Sequence, residues 1–142
     1  MVHKYEISVV ILRVTLGVIF FIHGLVKFQD SISGVAGWFS SIGLPGFLAY
    51  GVAIVELVGG ALLILGLFSK VVSVLLAIIM VGAIAKVKLA VGFLGNGQMA
   101  GYELDLALLA MSIFIAVNGS RAFALDTLIN RNKKENNTTT IN

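Results

Sequence analysis

Residues 7–28 form an almost unbroken apolar run, ISVVILRVTLGVIFFIHGLVKF. A helix of about 20 apolar residues is long enough to cross the hydrocarbon core of a bilayer, which is roughly 30 Å thick. Three further stretches have the same character, at 46–68, 71–92 and 102–119. Because a chain inside lipid must satisfy its backbone hydrogen bonds internally, we predict an all-α integral membrane protein, a bundle of four spanning helices.

The composition excludes several other classes of protein. Hydrophobic residues make up 58% of the 142 residues and charged residues only 12%, against about 25% charged residues in soluble domains. The absence of cysteine excludes disulfides, thiolate nucleophiles and iron–sulfur clusters. Only two histidines are present, His3 and His23, so no metal site is predicted. The net charge of +3 comes largely from basic residues that flank the spans, so it does not indicate nucleic-acid binding.

The segment between the first two spans, residues 30–43, is too polar to cross a membrane. Ile32, Val35 and Phe39 recur at helical spacing, and Trp38 suits the headgroup region. We predict a short helix that lies in the membrane interface. An ordinary ordered loop is the alternative.

The basic residues outside the spans lie on one side of the predicted topology: Lys4, Lys70, Arg121, Arg131, Lys133 and Lys134. The loops 29–44 and 93–101 contain no lysine or arginine. Positive residues mark the cytoplasmic side, so we expect a multi-pass protein of the cell membrane with both termini in the cytoplasm. Residues 1–130 are predicted to form one domain, and the polar residues 131–142 a disordered tail.

Ionisable side chains inside the spans are the features that indicate function, because each costs about 2.5–3.5 kcal/mol at the centre of a membrane helix. Glu56 lies ten residues into the second span, close to the midplane. It must be paired, protonated or exposed to a cavity. His23 and Lys27 share one face of the first span. We predict a polar site formed by these three side chains, which are the candidate catalytic residues.

Four more charged residues lie near the outer ends of the last two spans. Lys86 and Lys88 are about 200° apart on a helix, as are Glu103 and Asp105, so only one of each pair can point inward. Periodicity leaves each choice open, and each side chain could instead extend to the interface.

Two residues of the first span have a structural and a functional interpretation. Arg13 either anchors the inner end of its helix, with Asp126 as a potential partner, or belongs to a polar network. Phe20 either packs in the core or lines a cavity for a planar ligand.

A set of short motifs is distributed along the chain: LRVTLG at 12–17, HGLVKF at 23–28, ELVGG at 56–60, VKLAVGF at 87–93, YEL at 102–104, GSR at 119–121 and LD at 125–126. In these motifs the sequence resembles the DoxX family of small bacterial four-helix membrane proteins, over almost the whole chain except the tail.

The resemblance implies a set of polar positions at Arg13, His23, Lys27, Glu56, Glu103, Arg121 and Asp126. It favours Lys88 over Lys86 and Glu103 over Asp105 as the inward residues. Many relatives have histidine where this chain has Lys88, so a metal-binding role does not carry over to that position. The resemblance also implies a link to quinone or oxidative-stress chemistry, since Bacillus-type members accompany genes for catechol and quinone detoxification.

Three functions remain open. The first is a quinone-linked oxidoreductase or its accessory subunit, in which Lys27 and His23 would face a quinone or phenolic oxygen and Glu56 would carry a proton. Its electrons would come from a flavin, a second substrate or a soluble redox partner. The second is a non-catalytic scaffold that recruits a soluble redox enzyme. The third is a pathway for a small molecule or protons. Two further alternatives are also open: whether the protein forms a homo-oligomer, and whether it catalyses a reaction without a partner.

Overall fold

The structure, a computed structural model, describes residues 2–139, with side chains described for residues 3–133. Helices dominate this part of the chain, and one isolated bridge joins Gly95 and Ala100 in a loop. The helices are α1 (Val2–Asp30), α2 (Ile32–Ser41), α3 (Phe47–Leu65), α4 (Ser69–Ala83) with a π-helical extension (Ile84–Lys88), α5 (Glu103–Asn118) and α6 (Leu125–Thr139).

Three segments are long and apolar enough to cross a membrane: His3–Asp30, Phe47–Leu65 and Ser69–Lys88. They correspond to the first three predicted spans, so the chain is a membrane protein. The fourth predicted span is the helix α5, whose 16 residues extend about 24 Å at about 1.5 Å per residue. This is less than the hydrocarbon thickness, so a fourth crossing remains a prediction.

One apolar cluster joins α1, α3, α4 and α5. Helix α1 packs mainly on α3, and α4 packs mainly on α5, while contacts between α3 and α4 and between α1 and α5 connect the two pairs. The buried residues of the cluster are Leu16, Phe20, Leu63, Val72, Leu76, Met80, Leu108 and Ile115. Because all four helices contribute, the polar residues on their inner faces are held in fixed positions.

Glycines allow α1 and α3 to approach closely. A Cβ atom on Gly24 would overlap the backbone of Leu57, and one on Gly60 would overlap the backbone of Phe21. Such small residues let membrane helices pack backbone against backbone. The close, antiparallel approach brings the end of α1 beside the middle of α3, where Glu56 lies.

The segment 30–43 contains the predicted short helix, α2. Its N-cap is Ser31, whose hydroxyl accepts a hydrogen bond from the amide of Gly34 at 3.1 Å. The helix contacts both α1 and α3, and none of its residues is buried. Its location in the membrane interface remains a prediction.

The last helix, α6, continues through Thr139, so residues 131–139 are helical where the composition predicts disorder. Arg131 and Lys133 are strong helix formers, and they extend a helix that begins with Leu125 and Asp126. Residues 140–142 of the predicted tail lie outside the described residues. The division of the chain near residue 130 remains a prediction.

Candidate functional site

An ion pair links α1 to α3 within their membrane-spanning segments. The ammonium of Lys27 donates a hydrogen bond to Oε2 of Glu56. The Glu56 side chain is 4% exposed and that of Lys27 is 24% exposed. Glu56 lies on the buried face of α3, beside the small residues Ala53 and Gly60. A buried carboxylate is costly unless it is paired, and the lysine provides this pairing.

His23 does not join this pair. It is exposed, and it makes no hydrogen bond or ion pair within the side chains that the structure describes. The packed face of α1 runs through Phe20 and Gly24, and His23 precedes Gly24 by about 100° around the helix. Lys27 follows Phe20 by seven residues, close to two full helical turns, so it lies on this face and its side chain reaches Glu56. The predicted contact between His23 and Glu56 is therefore not found.

Phe20 lies in the apolar core and is 1% exposed. Of its two interpretations, the structure shows packing, and the ring lines neither of the two cavities described below.

A second ion pair links the extension of α4 to α5. The ammonium of Lys88 lies 2.7 Å from Oδ2 of Asp105, and the two side chains are 24% and 11% exposed. The contact is an ion pair, and Oδ2 of Asp105 has no hydrogen-bond partner within the described residues. Lys86 is exposed. The extension is widened by a hydrogen bond from the amide of Leu89 to the carbonyl of Ile84, the i to i+5 pattern of a π-helix.

Asp105, rather than Glu103, is the inward carboxylate of α5. This corrects the expectation that the family resemblance favours. The buried face of α5 contains Asp105, Leu108, Ser112 and Ile115, and Glu103 is about 200° away from Asp105 around the helix. Glu103 is consequently exposed.

Both ion pairs lie toward the same end of the molecule, where α1 and the α4 extension end and where α5 begins. Each pair contains one cation and one carboxylate, so the two pairs together carry no net charge. None of these four residues lines either of the two cavities described below. The structure shows pairing across helices but does not show a shared pocket between the pairs.

Arg13 occupies the opposite end of the helices and is only 1% exposed. Its Nη1 donates to Oγ of Ser120 at 3.0 Å and to the carbonyl of Ala122 at 3.1 Å, and its Nη2 donates to the carbonyl of Phe123 at 3.0 Å. Arg13 therefore anchors the segment between α5 and α6. Asp126, its predicted partner, instead accepts a hydrogen bond from the amide of Phe68 at 2.8 Å.

These contacts stabilise two residues whose backbone lies in the left-handed region, which residues other than glycine rarely adopt. Phe68 has φ 50° and Phe123 has φ 47°. The Phe68 amide is held by Asp126, and the Phe123 carbonyl is held by Arg13. The sequence indicates Arg13 and Asp126 but not their partners, because all of these except the Ser120 hydroxyl are backbone groups, which carry no sequence signal.

The chemistry available at the paired sites is proton transfer and hydrogen-bond donation. A carboxylate can take up or release a proton, and an ammonium can donate to a ligand oxygen. Within the described residues, no three histidine, aspartate or glutamate side chains are grouped so that they could hold a metal ion.

Comparison with known proteins identifies the family. The model of the DoxX family matches residues 8–89. The chain belongs to the DoxX family. This DoxX protein is 46% identical over 134 residues to a Bacillus subtilis protein named "Putative oxidoreductase CatD", an alignment that covers 94% of this chain and 96% of the relative.

Two further relatives of this DoxX protein are more distant. It is 35% identical to the "Uncharacterized membrane protein Rv3486" of Mycobacterium tuberculosis, over 87% of this chain and 82% of the relative. It is 32% identical to a protein of Haemophilus influenzae, over 81% of this chain and 85% of the relative. No solved structure matches significantly.

Proposed function

We propose that this DoxX protein is a membrane oxidoreductase, or an accessory subunit of one, that handles a quinone or a related phenolic molecule beside Lys27 and Glu56. The observation that carries the proposal is the pairing of these two side chains inside membrane-spanning helices, where an ionised residue is rarely kept without a functional reason. The name of the Bacillus subtilis relative supports a redox role.

The pair has the groups that quinone chemistry requires. Reduction of a quinone to a quinol takes up two electrons and two protons, one on each carbonyl oxygen. Lys27 is partly exposed and can donate a hydrogen bond to one oxygen, while Glu56 can relay a proton to it. His23 is exposed one helical turn away and can take up protons from outside. The reduced flavin of a soluble partner would supply the electrons.

The proposed topology places α5 as the fourth crossing, with both termini in the cytoplasm. A short apolar helix can cross if the bilayer thins locally or if flanking residues extend to the interface. The basic residues Lys70, Arg121 and Arg131 then all lie on the cytoplasmic side.

A scaffold that recruits a soluble redox enzyme is the second candidate function. It is favoured by one observation: neither described cavity is lined by Lys27 or Glu56. In this case the pair locks α1 to α3, and the basic helix α6 provides the contact with the partner.

The two functions can be separated with the purified full-length protein. We would measure binding of the quinone menadione, and quinone retained after purification, for the wild type, Glu56→Gln and Lys27→Met. The matched control is Lys86→Met, which removes an exposed lysine. The proposal expects both site variants to lose quinone binding while remaining folded, with the control unchanged. Intact binding in both variants would contradict it, and a soluble oxidoreductase that co-purifies with all variants would support the scaffold.

A further inference from the structure

The largest described cavity lies at the end of the molecule opposite the Lys27–Glu56 pair, with a volume of about 710 Å³. The first turn of α4, the end of α5 and the start of α6 form it, and we call it the basal groove. Three cations, Lys70, Arg121 and Arg131, line this groove, with one carboxylate, Asp126. Its formal charge is therefore positive, which favours an anionic ligand.

The basal groove also contains hydrogen-bond donors that no protein group uses. Ser69 is 4% exposed and lines the groove, and its hydroxyl has no hydrogen-bond partner within the described residues. Ser69 is the first residue of α4, and the side chain of the N-cap residue, Phe68, makes no capping hydrogen bond. The Phe68 amide itself is bonded to Asp126, which leaves the amides that follow it. The first amides of a helix have no intrahelical acceptor and carry a partial positive charge, so they bind anions readily.

A buried arginine adds to the positive potential of the basal groove. Arg13 donates to Ser120, which lines the groove, and its other described partners are backbone carbonyls rather than a carboxylate. Its charge therefore remains uncompensated by the described side chains. The guanidinium of Arg121 is exposed in the groove and makes no described hydrogen bond or ion pair.

An apolar groove of about 330 Å³ follows along the same two helices. Its lining residues are all apolar and include Val74 and Ile78 of α4 and Ile113 and Val117 of α5. Val71 and Asn118 line the basal groove next to the apolar one. Val71 lies about one helical turn before Val74, and Asn118 directly follows Val117. The charged basal groove and the apolar groove therefore occupy successive turns of α4 and α5.

We propose that the two grooves together bind one anionic phospholipid, separately from the site of the proposed function. Its phosphate ester lies between Arg121 and Lys70, within reach of Ser69 and the first amides of α4. One acyl chain lies in the apolar groove between α4 and α5. Soluble phosphate has the same charge chemistry, but it would leave the apolar groove without an occupant.

Native mass spectrometry of the full-length protein in detergent tests this site. We would titrate phosphatidylglycerol and phosphatidylcholine with identical acyl chains, and inorganic phosphate as a competitor. We expect phosphatidylglycerol to bind more tightly than phosphatidylcholine. Arg121→Gln should weaken the binding of phosphatidylglycerol about five-fold and leave the binding of phosphatidylcholine unchanged. The matched control is Lys133→Gln, an exposed basic residue outside both grooves.

Two further variants separate binding from stability. Asp126→Asn keeps an oxygen acceptor for the Phe68 amide but removes the negative charge, so phosphatidylglycerol should bind about five-fold more tightly. Ala116→Phe fills the apolar groove and should weaken the binding of phosphatidylglycerol. Ala110→Phe, on the exposed side of α5, is its control.

Three results would overturn the proposal. Equal affinity for the two lipids would exclude recognition of the anionic headgroup. Displacement of the lipid by inorganic phosphate at similar concentrations would assign the basal groove to a soluble anion. An equal loss of binding in Lys133→Gln would indicate a non-specific charge effect. If Arg121→Gln does not fold, the gain expected in Asp126→Asn decides the question.

Discussion

Lys27 and Glu56 lie 29 positions apart in the sequence and form an ion pair across the interface between α1 and α3. The carboxylate is almost completely buried, and the lysine reaches it from the end of the neighbouring helix. Gly24 and Gly60 allow the backbones to come close enough for this contact. The pair therefore depends on packing as well as charge.

The second ion pair leads to a prediction about α5. Asp105→Asn removes the carboxylate from Lys88 and should lower the free energy of unfolding by about 1–3 kcal/mol, because the partly buried ammonium loses its partner. Reversible denaturant unfolding in bicelles measures this change. Glu103→Gln, at an exposed position on the same helix turn, should change stability by less than about 0.5 kcal/mol. Equal effects of the two variants would show that Asp105 is not the paired carboxylate.

Arg13 is predicted to order the segment between α5 and α6. Arg13→Met removes all three hydrogen bonds to Ser120, Ala122 and Phe123, so amide hydrogen exchange over 119–124 should become faster. Hydrogen-exchange mass spectrometry measures the exchange rate of these amides. Lys4→Met, an exposed cation on the same helix, is the control and should leave the segment unchanged. Unchanged exchange in Arg13→Met would show that the loop holds its conformation without the guanidinium.

The close packing of α1 on α3 predicts opposite effects for two glycine substitutions. Gly24→Ala places a Cβ against the backbone of Leu57 and should destabilise the protein by about 1–3 kcal/mol through overpacking. Gly51→Ala adds a Cβ in open space and should stabilise helix α3 by up to about 1 kcal/mol. Thermal unfolding in detergent compares the two. A stabilising Gly24→Ala would mean that the helices are farther apart.

The sequence predicted the apolar helices well, since a run of this length and hydropathy has few structural alternatives. It also predicted Lys27 as a partner for Glu56, because a buried carboxylate needs a cation at a similar depth. It did not distinguish Asp105 from Glu103, because the packed face of α5 depends on its neighbours.

The sequence pattern also does not indicate the two grooves or the backbone partners of Arg13. They arise where separate helix ends meet, and local periodicity does not report on such contacts. For this reason the sequence does not indicate that Ser120 and Phe68 line the basal groove.

The most direct test of the central claim is a double-mutant cycle between Lys27 and Glu56. It measures the free energy of unfolding in bicelles for the wild type, Lys27→Met, Glu56→Gln and the combined variant. The paired geometry predicts a favourable coupling of about 1–3 kcal/mol, with the combined variant more stable than the sum of the single losses implies. Strictly additive losses would show that the two side chains do not interact, which would contradict the account.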